Sequence, residues 1–476
     1  MTRLAPCAMA IAMAIELGGC ALGPDYVRPA APMSEAFRGE TLPQPASSFA
    51  DLPWWEIFED PALVALLREG LKGSYSLEEA VARVEQARES AGIASSALWP
   101  TVNAQAGVAY QQIFSPFPVS GGTKQNPNFA TYQLGAAISW EADLWGRLRR
   151  LKESALADYL AVEEVQRGVV VSLVGDIAQA YFNLLALDLQ LEVARRTEKA
   201  RAQTATLFRE LEEGGTGNRL QTASAEANQA GAAAAIPAIE RQIAAVENQL
   251  SVLLGRVPGP IARSSELLHR PAPPPRPAGL PGELLERRPD VRQAEARLVS
   301  ANAQVGAAYA ARLPQLTLNL SGGFESTALG DLFTAGAATY AAGVLGGFLA
   351  PIFNGRQLTY RYRAQQANWR AAVALYRGTV LNALSEVSSL LVAGEKLRQS
   401  RTELEKLVAA RAETVTLSHD RFANGVASYL EVVQAEQDLF PAQLQLAETI
   451  GAQFVVEAQL YRALGGGWRT VARPQK

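Results

Sequence analysis

The sequence predicts a mainly α-helical chain that also contributes to a membrane β-barrel, with long antiparallel coiled helices and four strands per chain. Three observations carry that expectation. One stretch, Gln357 to Arg462, keeps a helical period with a single central break at Asn424-Gly425-Val426. The chain repeats itself at constant offsets. Each repeat also contains two segments whose apolar residues alternate with a period of two, the mark of a strand with unlike faces.

In the long stretch, Tyr362, Trp369, Val373, Tyr376, Val380, Leu384, Val387 and Leu391 are separated by steps of 7, 4, 3, 4, 4, 3 and 4, which places them on one helix face. Only the isolated Gly378 and Gly394 interrupt the run from Gln357 to Ala423. At ~1.5 Å per residue such a helix is roughly 100 Å long.

The duplication is read from register. Gly215, Leu220, Ala225, Glu226, Leu254 and Gly255 match Gly425, Leu430, Ala435, Glu436, Leu464 and Gly465 at one constant offset. A second constant offset pairs Ala80, Ala82, Arg83, Ala87, Gly92, Ala97 and Pro100 with Ala294, Ala296, Arg297, Ala301, Gly306, Ala311 and Pro314. The chain is two copies of one unit, with repeats expected over 53–257 and 290–468.

From the N-terminus, Arg3 precedes an apolar run from Leu4 to Ile15, and Leu17-Gly18-Gly19-Cys20 resembles a bacterial lipobox. Residues 1–19 are expected to be a lipoprotein signal peptide. Cys20 would become the mature N-terminus, bearing S-diacylglycerol and N-palmitoyl lipid. The run is shorter than the ~20 apolar residues a spanning helix needs. The other cysteine, Cys7, leaves with the signal, so the mature chain holds no intramolecular disulfide. Ala21, not an aspartate, follows the cysteine, as in lipoproteins sent on to the outer membrane.

Among 476 residues, 44 basic and 47 acidic side chains give a net charge of −3, which offers no argument for nucleic-acid binding. Catalysis finds no foothold either. The two histidines, His269 and His419, have no metal-ligand neighbour at useful spacing, and no His-Glu-x-x-His, Cys-x-x-Cys or Gly-x-Ser-x-Gly occurs. Neither an enzyme nor a cofactor is expected.

Residues 20–52 read as an extended, proline-punctuated tether. Asp60 then suits an N-cap and Pro61 the first helical position, and a helix from Leu77 to Trp99 stops at Pro100. From Thr101 to Tyr110, Val102, Ala104, Ala106, Val108 and Tyr110 alternate with Thr101, Asn103, Gln105 and Gly107. From Thr131 to Glu141, Tyr132, Leu134, Ala136, Ile138 and Trp140 do the same. Each is about the ~10 residues of a tilted transmembrane strand, and the Gly/Pro/Ser/Asn-rich stretch from Ser115 to Asn128 suits an exposed loop. After Pro314, Leu316, Leu318 and Leu320 alternate with Gln315, Thr317, Asn319 and Ser321, with a less regular partner at about Ala337 to Phe348.

Four strands cannot close a barrel in lipid, because an open edge leaves backbone groups unsatisfied. Three copies would supply twelve strands, enough for a pore too wide for side chains to fill. The first long helix, about Leu148 to Glu213, turns back at Gly214-Gly215-Thr216-Gly217. That break lacks the Lys-Ser or Lys-Thr of a phosphate loop and reads as a hairpin tip. Pro237 and Pro441 sit inside the returning helices and are expected to bend them. Residues 258–289 form a proline-rich linker, and 469–476 a short tail.

Gly23-Pro24-Asp25-Tyr26 after the lipid cysteine, Trp54-Trp55 through Leu63, Arg288-Pro289-Asp290-Val291, Gly425 through Val432, and Leu460 through Trp468 occur here in order. Together they resemble the TolC-like outer membrane factor family, in its lipoprotein efflux branch. The resemblance implies a homotrimer with a shared twelve-stranded barrel in the outer membrane and a helical tunnel, a periplasmic α-barrel, joined by an adaptor to an inner-membrane pump. It also implies a periplasmic gate, which motif match places at Leu430 and Gln434 with Glu431 between them; family members often carry an acid where this chain has Gln434. The tips, Gly214, Gly215 and Thr216 and Asn424, Gly425 and Val426, are the expected adaptor contacts. The exit duct of a protein secretion system shares this architecture. A non-conducting coiled-coil scaffold would use similar rods without strand pairs.

Overall fold

The computed structural model describes residues 21–40, 48, 51–58, 60–112, 128–264, 273–274, 277–334 and 339–466. The signal segment with Cys20, the loop from Ser115 up to Asn128, parts of the proline-rich linker and the tail all lie outside the described residues.

In chain order the elements are α1 (Trp54–Ile57), α2 (Pro61–Gly73), α3 (Tyr75–Ser96), β1 (Thr101–Gln112), β2 (Asn128–Ala142), α4 (Arg147–Glu213) and α5 (Arg219–Leu253). After the linker come α6 (Leu284–Arg287), α7 (Pro289–Ala310), β3 (Gln315–Ser326), β4 (Thr339–Leu349), α8 (Gln357–Ala423) and α9 (Tyr429–Ala463). The duplication is visible in the lengths: α3 and α7 have 22 residues each, α4 and α8 have 67, and α5 and α9 have 35. It is equally visible in backbone torsions, since Gly215 and Gly425 have φ of 74° and 72°, and Gly255 and Gly465 have 73° and 74°. At those four points the chain leaves a helix through the left-handed region, which glycine enters without steric cost.

Two compact units run through the described chain, each drawing on both repeats. The first takes in Val84–Val162, Ala294–Leu375 and the N-terminal stretch up to Pro29. It holds one antiparallel sheet in the order β1-β2-β3-β4, which leaves β1 and β4 as its edges. Register sorts the side chains: Val102 pairs with Ile138, Ile138 with Leu320 and Leu320 with Val344, so one face carries an unbroken apolar row. The neighbouring row, Thr101 with Ser139 and Ser139 with Asn319, is polar across β1 to β3 and ends on Leu345 of β4. Paired residues of a sheet point the same way, so the sheet has one apolar and one polar face. Two indoles fasten the strand ends: Trp140 Nε1 donates to the Leu98 carbonyl at 3.0 Å and Trp145 Nε1 to that of Pro314 at 2.6 Å.

The strands outrun their alternation. β1 continues to Gln112 and β2 begins at Asn128, because the ladder closes on the Gln112↔Asn128 pair where side-chain periodicity has already lapsed. Asn128 therefore belongs to a strand and not to the loop. β3 runs past Gly322 to Ser326 because Gly323 lies opposite Gly135, where a Cβ would come within 2.6 Å of the facing backbone. Glycines that interrupt the pattern are what let the backbones approach.

The N-terminal segment lies in the same unit. Leu22 N–H donates to the Trp145 carbonyl at 3.0 Å, and Asn302 Nδ2 to that of Pro24 at 2.8 Å. Arg28 makes a two-point pair with Glu295 at 2.6 and 2.8 Å, and Asp25 accepts from Arg150 at 2.7 Å. The expected tether is thus an ordered strap on α4 and α7.

The second unit draws on Ala30–Arg83, Glu163–Gln293 and Tyr376–Lys476. Leu63, Leu67, Ile177, Leu184, Leu250 and Tyr376 are fully buried in it, and Phe182 stacks on Phe454 with centroids 5.2 Å apart. Asp60 caps α2, accepting from Ala62 N–H at 2.8 Å and Leu63 N–H at 3.3 Å, and its other oxygen takes the Tyr181 hydroxyl at 2.7 Å. Of the predicted seam on α8, Tyr376, Val380 and Val387 are buried whereas Trp369 is 37% exposed. Helix α5 runs unbroken through Pro237 and α9 through Pro441.

Candidate functional site at the hairpin tips

The second unit contains the tip ends of both helical hairpins, α4 to α5 from Glu163 and α8 to α9 from Tyr376, and their tips are built alike. At the first, Gly214 N–H donates to Glu210 O, Gly215 to Glu212 O and Thr216 to Leu211 O, at 2.9, 3.0 and 2.9 Å. At the second, Asn424 donates to Asp420 O, Gly425 to Phe422 O and Val426 to Arg421 O, at 3.0, 2.9 and 3.0 Å. Both bring the donor of the third residue past the helix back to a carbonyl five residues earlier, a Schellman closure that satisfies the last carbonyls. The helices that follow start differently. Asn218 caps α5 by accepting from Gln221 N–H at 3.0 Å, while Ser428 makes no side-chain cap on α9.

The three residues of the expected constriction sit in the first turns of α9. Leu430 is 70% exposed and Val426 64%. Glu431 pairs loosely with Arg421 at 3.5 Å, and Gln434 donates to Asp438 at 3.3 Å. Leu430 and Gln434, at i and i+4, share one face of the helix. Tyr429 and Val432, by contrast, are buried.

What they are buried in was not apparent from the sequence. Phe208 of α4 lies 4.0 Å, centroid to centroid, from Tyr429 of α9, and Phe422 of α8 lies 5.8 and 5.7 Å from the two. Ala205, Ala225, Val432 and Val433 complete an apolar plug that joins the hairpins. Burial first, then the nearby Glu436 carboxylate, pushes the Tyr429 phenol up to about 12.

One turn further from the tip lies a polar cluster drawn from four helices. Arg201 donates to the backbone carbonyls of Asn228 at 3.0 Å and Glu436 at 2.7 Å, and its guanidinium lies 5.3 Å from the Phe440 ring centre. Asn228 Nδ2 donates to one Glu436 carboxylate oxygen at 2.7 Å, and His419 Nε2 sits 3.1 Å from the other. Burial lowers the pKa of Arg201 from its ordinary value, against the Glu436 charge that raises it. His419, which showed no chemical neighbour in the sequence, finds Glu436 across the hairpin. Only the constant offset that links Glu226 to Glu436 could have drawn attention to this position.

The family model for outer membrane efflux proteins matches residues 66–256 and 280–466. The toluene efflux pump outer membrane protein TtgI of Pseudomonas putida is 34% identical over 463 residues, covering 95% of this chain and 97% of that one. The probable outer membrane lipoprotein SilC of Salmonella typhimurium is 29% identical, covering 97% and 98%. Among solved structures, the open state of the MtrE outer membrane channel of Neisseria gonorrhoeae matches with a TM-score of 0.83 at 30% identity, covering 94% of this chain and 99% of that one.

Proposed function

This chain belongs to the outer membrane efflux protein family, and from that premise we propose that three copies form the exit duct of a tripartite efflux system. The duct passively carries small toxic compounds, delivered by an inner-membrane pump through a periplasmic adaptor, across the outer membrane. The observation that carries the reading is the sheet. Its register gathers Val102, Ile138, Leu320 and Val344 on one face and polar residues on the other, and both edges are open. Val102 is 67% exposed and Val344 77% in the single chain. An apolar face suits lipid and a polar face a wet lumen, and three such sheets edge to edge give twelve strands and no free edge.

Cys20 carries the lipid in this reading. The strap supports it: Gly146, with φ of 78°, opens α4 just after β2, and a Cβ there would come within 2.6 Å of Ala21. The acyl chains would then enter the bilayer where the strands end. The periplasmic gate is Leu430, Glu431 and Gln434, and the adaptor meets the two tips. The duct itself needs no catalytic group, because the pump supplies the work.

Purified protein in planar bilayers tests the reading. Conductance should be low at rest and rise when Leu430 or Glu431 is replaced by a smaller neutral residue. No current after such opening would overturn it. The mass of the detergent-extracted complex tests copy number and lipid together.

A further inference from the structure

Between the strap, α7 and α8, wholly within the first unit, lies a cavity of about 500 Å³ that the duct reading leaves unused. Sites for small molecules span roughly 300–1,000 Å³. Tyr362 and Trp369 of α8 and Val305 of α7 give it aromatic and apolar walls, while Asn302, Gln366 and Arg370 give it polar ones. The walls are set in advance. Tyr309 meets the Tyr362 ring at 61° with centroids 5.7 Å apart, and the Arg312 guanidinium lies 5.5 Å from the same ring centre. Asn302 Nδ2 holds the Pro24 carbonyl at 2.8 Å, so Pro24 bounds the cavity on the strap side.

Charge decides what fits. From Leu349 to Ser385 the sequence holds no acidic residue but has Arg356, Arg361, Arg363, Arg370 and Arg377. Arg370 is exposed and makes neither an ion pair nor a hydrogen bond among the described residues. The carboxylates of the strap and of the middle of α7 are engaged elsewhere, Asp25 by Arg150 and Glu295 by Arg28. The arrangement is particular to the second repeat, since Asn302, Tyr362, Trp369 and Arg370 correspond to Arg88, Lys152, Tyr159 and Leu160 in the first. In the trimer proposed above, the duplication makes α8 meet the α3 of the next copy as α4 meets α7, through Ser154 bonded to Ser300 at 2.9 Å. Ala364 stands in the place of Ser154, and at 3.6 residues per turn it is about 200° round the helix from both Tyr362 and Gln366. The neighbouring copy therefore leaves the cavity open.

We propose that this cavity binds a small organic anion with a flat aromatic body, an aryl carboxylate or sulfonate. Its ring lies against Tyr362 and Trp369 in the offset or edge-on arrangements that aromatic pairs prefer. Its anionic group takes the Arg370 guanidinium in a charge-assisted bond, and the Gln366 amide supplies a further donor. Walled by Pro24 on one side and α8 on the other, the bound molecule ties the strap to α8.

The test uses the full-length lipoprotein in lipid nanodiscs, with 2-naphthoate as the probe and its neutral amide, 2-naphthamide, beside it. Calorimetric titration should give one saturable site per chain for the carboxylate, with the amide bound about tenfold more weakly for want of the charge-assisted bond. Arg370→Gln should weaken 2-naphthoate by about tenfold and Arg370→Lys by less, because the lysine keeps the charge but loses the fork. Arg361→Gln, in the same acid-free stretch but outside the cavity wall, should bind as the unchanged protein does. Naphthoate should also slow cleavage of the strap between Ala21 and Arg28, and do so no longer in Arg370→Gln. Uptake that never saturates, equal affinity for the amide, or equal losses in Arg361→Gln and Arg370→Gln would each overturn the proposal. Absence of conductance in bilayers would sink the duct reading and leave this site standing.

Discussion

Arg356 has φ of 63°, the lone positive-φ residue other than glycine among those described, and it opens α8 where the first repeat has Gly146 opening α4. A left-handed conformation costs a branched backbone position roughly 1–2 kcal/mol, so Arg356→Gly should raise stability by about 1 kcal/mol, read from thermal unfolding in detergent. The opposite change, Gly146→Ala, drives a Cβ into Ala21 and should free the strap, detected as faster proteolysis between Ala21 and Arg28. Tyr429 gives a pH prediction. Its phenol is held up to about 12, against about 10 in an unfolded chain. The stability contributed by the protonated form is fully present below about pH 10 and is lost as pH rises through about 12. Tyr429→Phe should abolish that alkaline loss while leaving behaviour at pH 8 unchanged, as urea titrations at the two pH values would record.

At the scale of elements, the two hairpins stay together through the Phe208, Phe422 and Tyr429 plug. Phe208→Ala removes a fully buried ring and should cost about 3–5 kcal/mol locally, visible as faster hydrogen exchange in the last turns of α4 and the first of α9. Helix lengths were legible in the sequence because the duplication reports them twice: the break at Gly214 and that at Asn424 end helices of 67 residues each. Strand alternation was legible too, since it is a local period of two, but it fell short wherever glycine replaced the signal, as at Gly323. The plug and the polar cluster were not. Phe208 and Tyr429, or Arg201 and Glu436, are brought together across more than two hundred residues, and no local period encodes a contact at that separation. Trp369 shows the converse, a residue in perfect helical step with the seam that ends up well exposed, because periodicity assigns a face but not the partner that covers it.

For the whole molecule, the decisive property is that one sheet carries an apolar and a polar face. Leu320→Arg on the apolar face should cost about 2–4 kcal/mol at mid-bilayer and deplete the protein from outer membrane fractions. Asn319→Arg, one residue away on the polar face, should assemble normally and change ion selectivity instead. The matched lengths of α4 and α8 and of α5 and α9 have a further consequence for how such a chain can change over time. Four residues added to α4 alone would advance its side of the plug by about 6 Å and turn it by roughly 40°, parting Phe208 from Tyr429. Growth or shortening must therefore arrive in both halves together, in steps that restore facing, as in a ladder whose two rails can only be cut at the same rung.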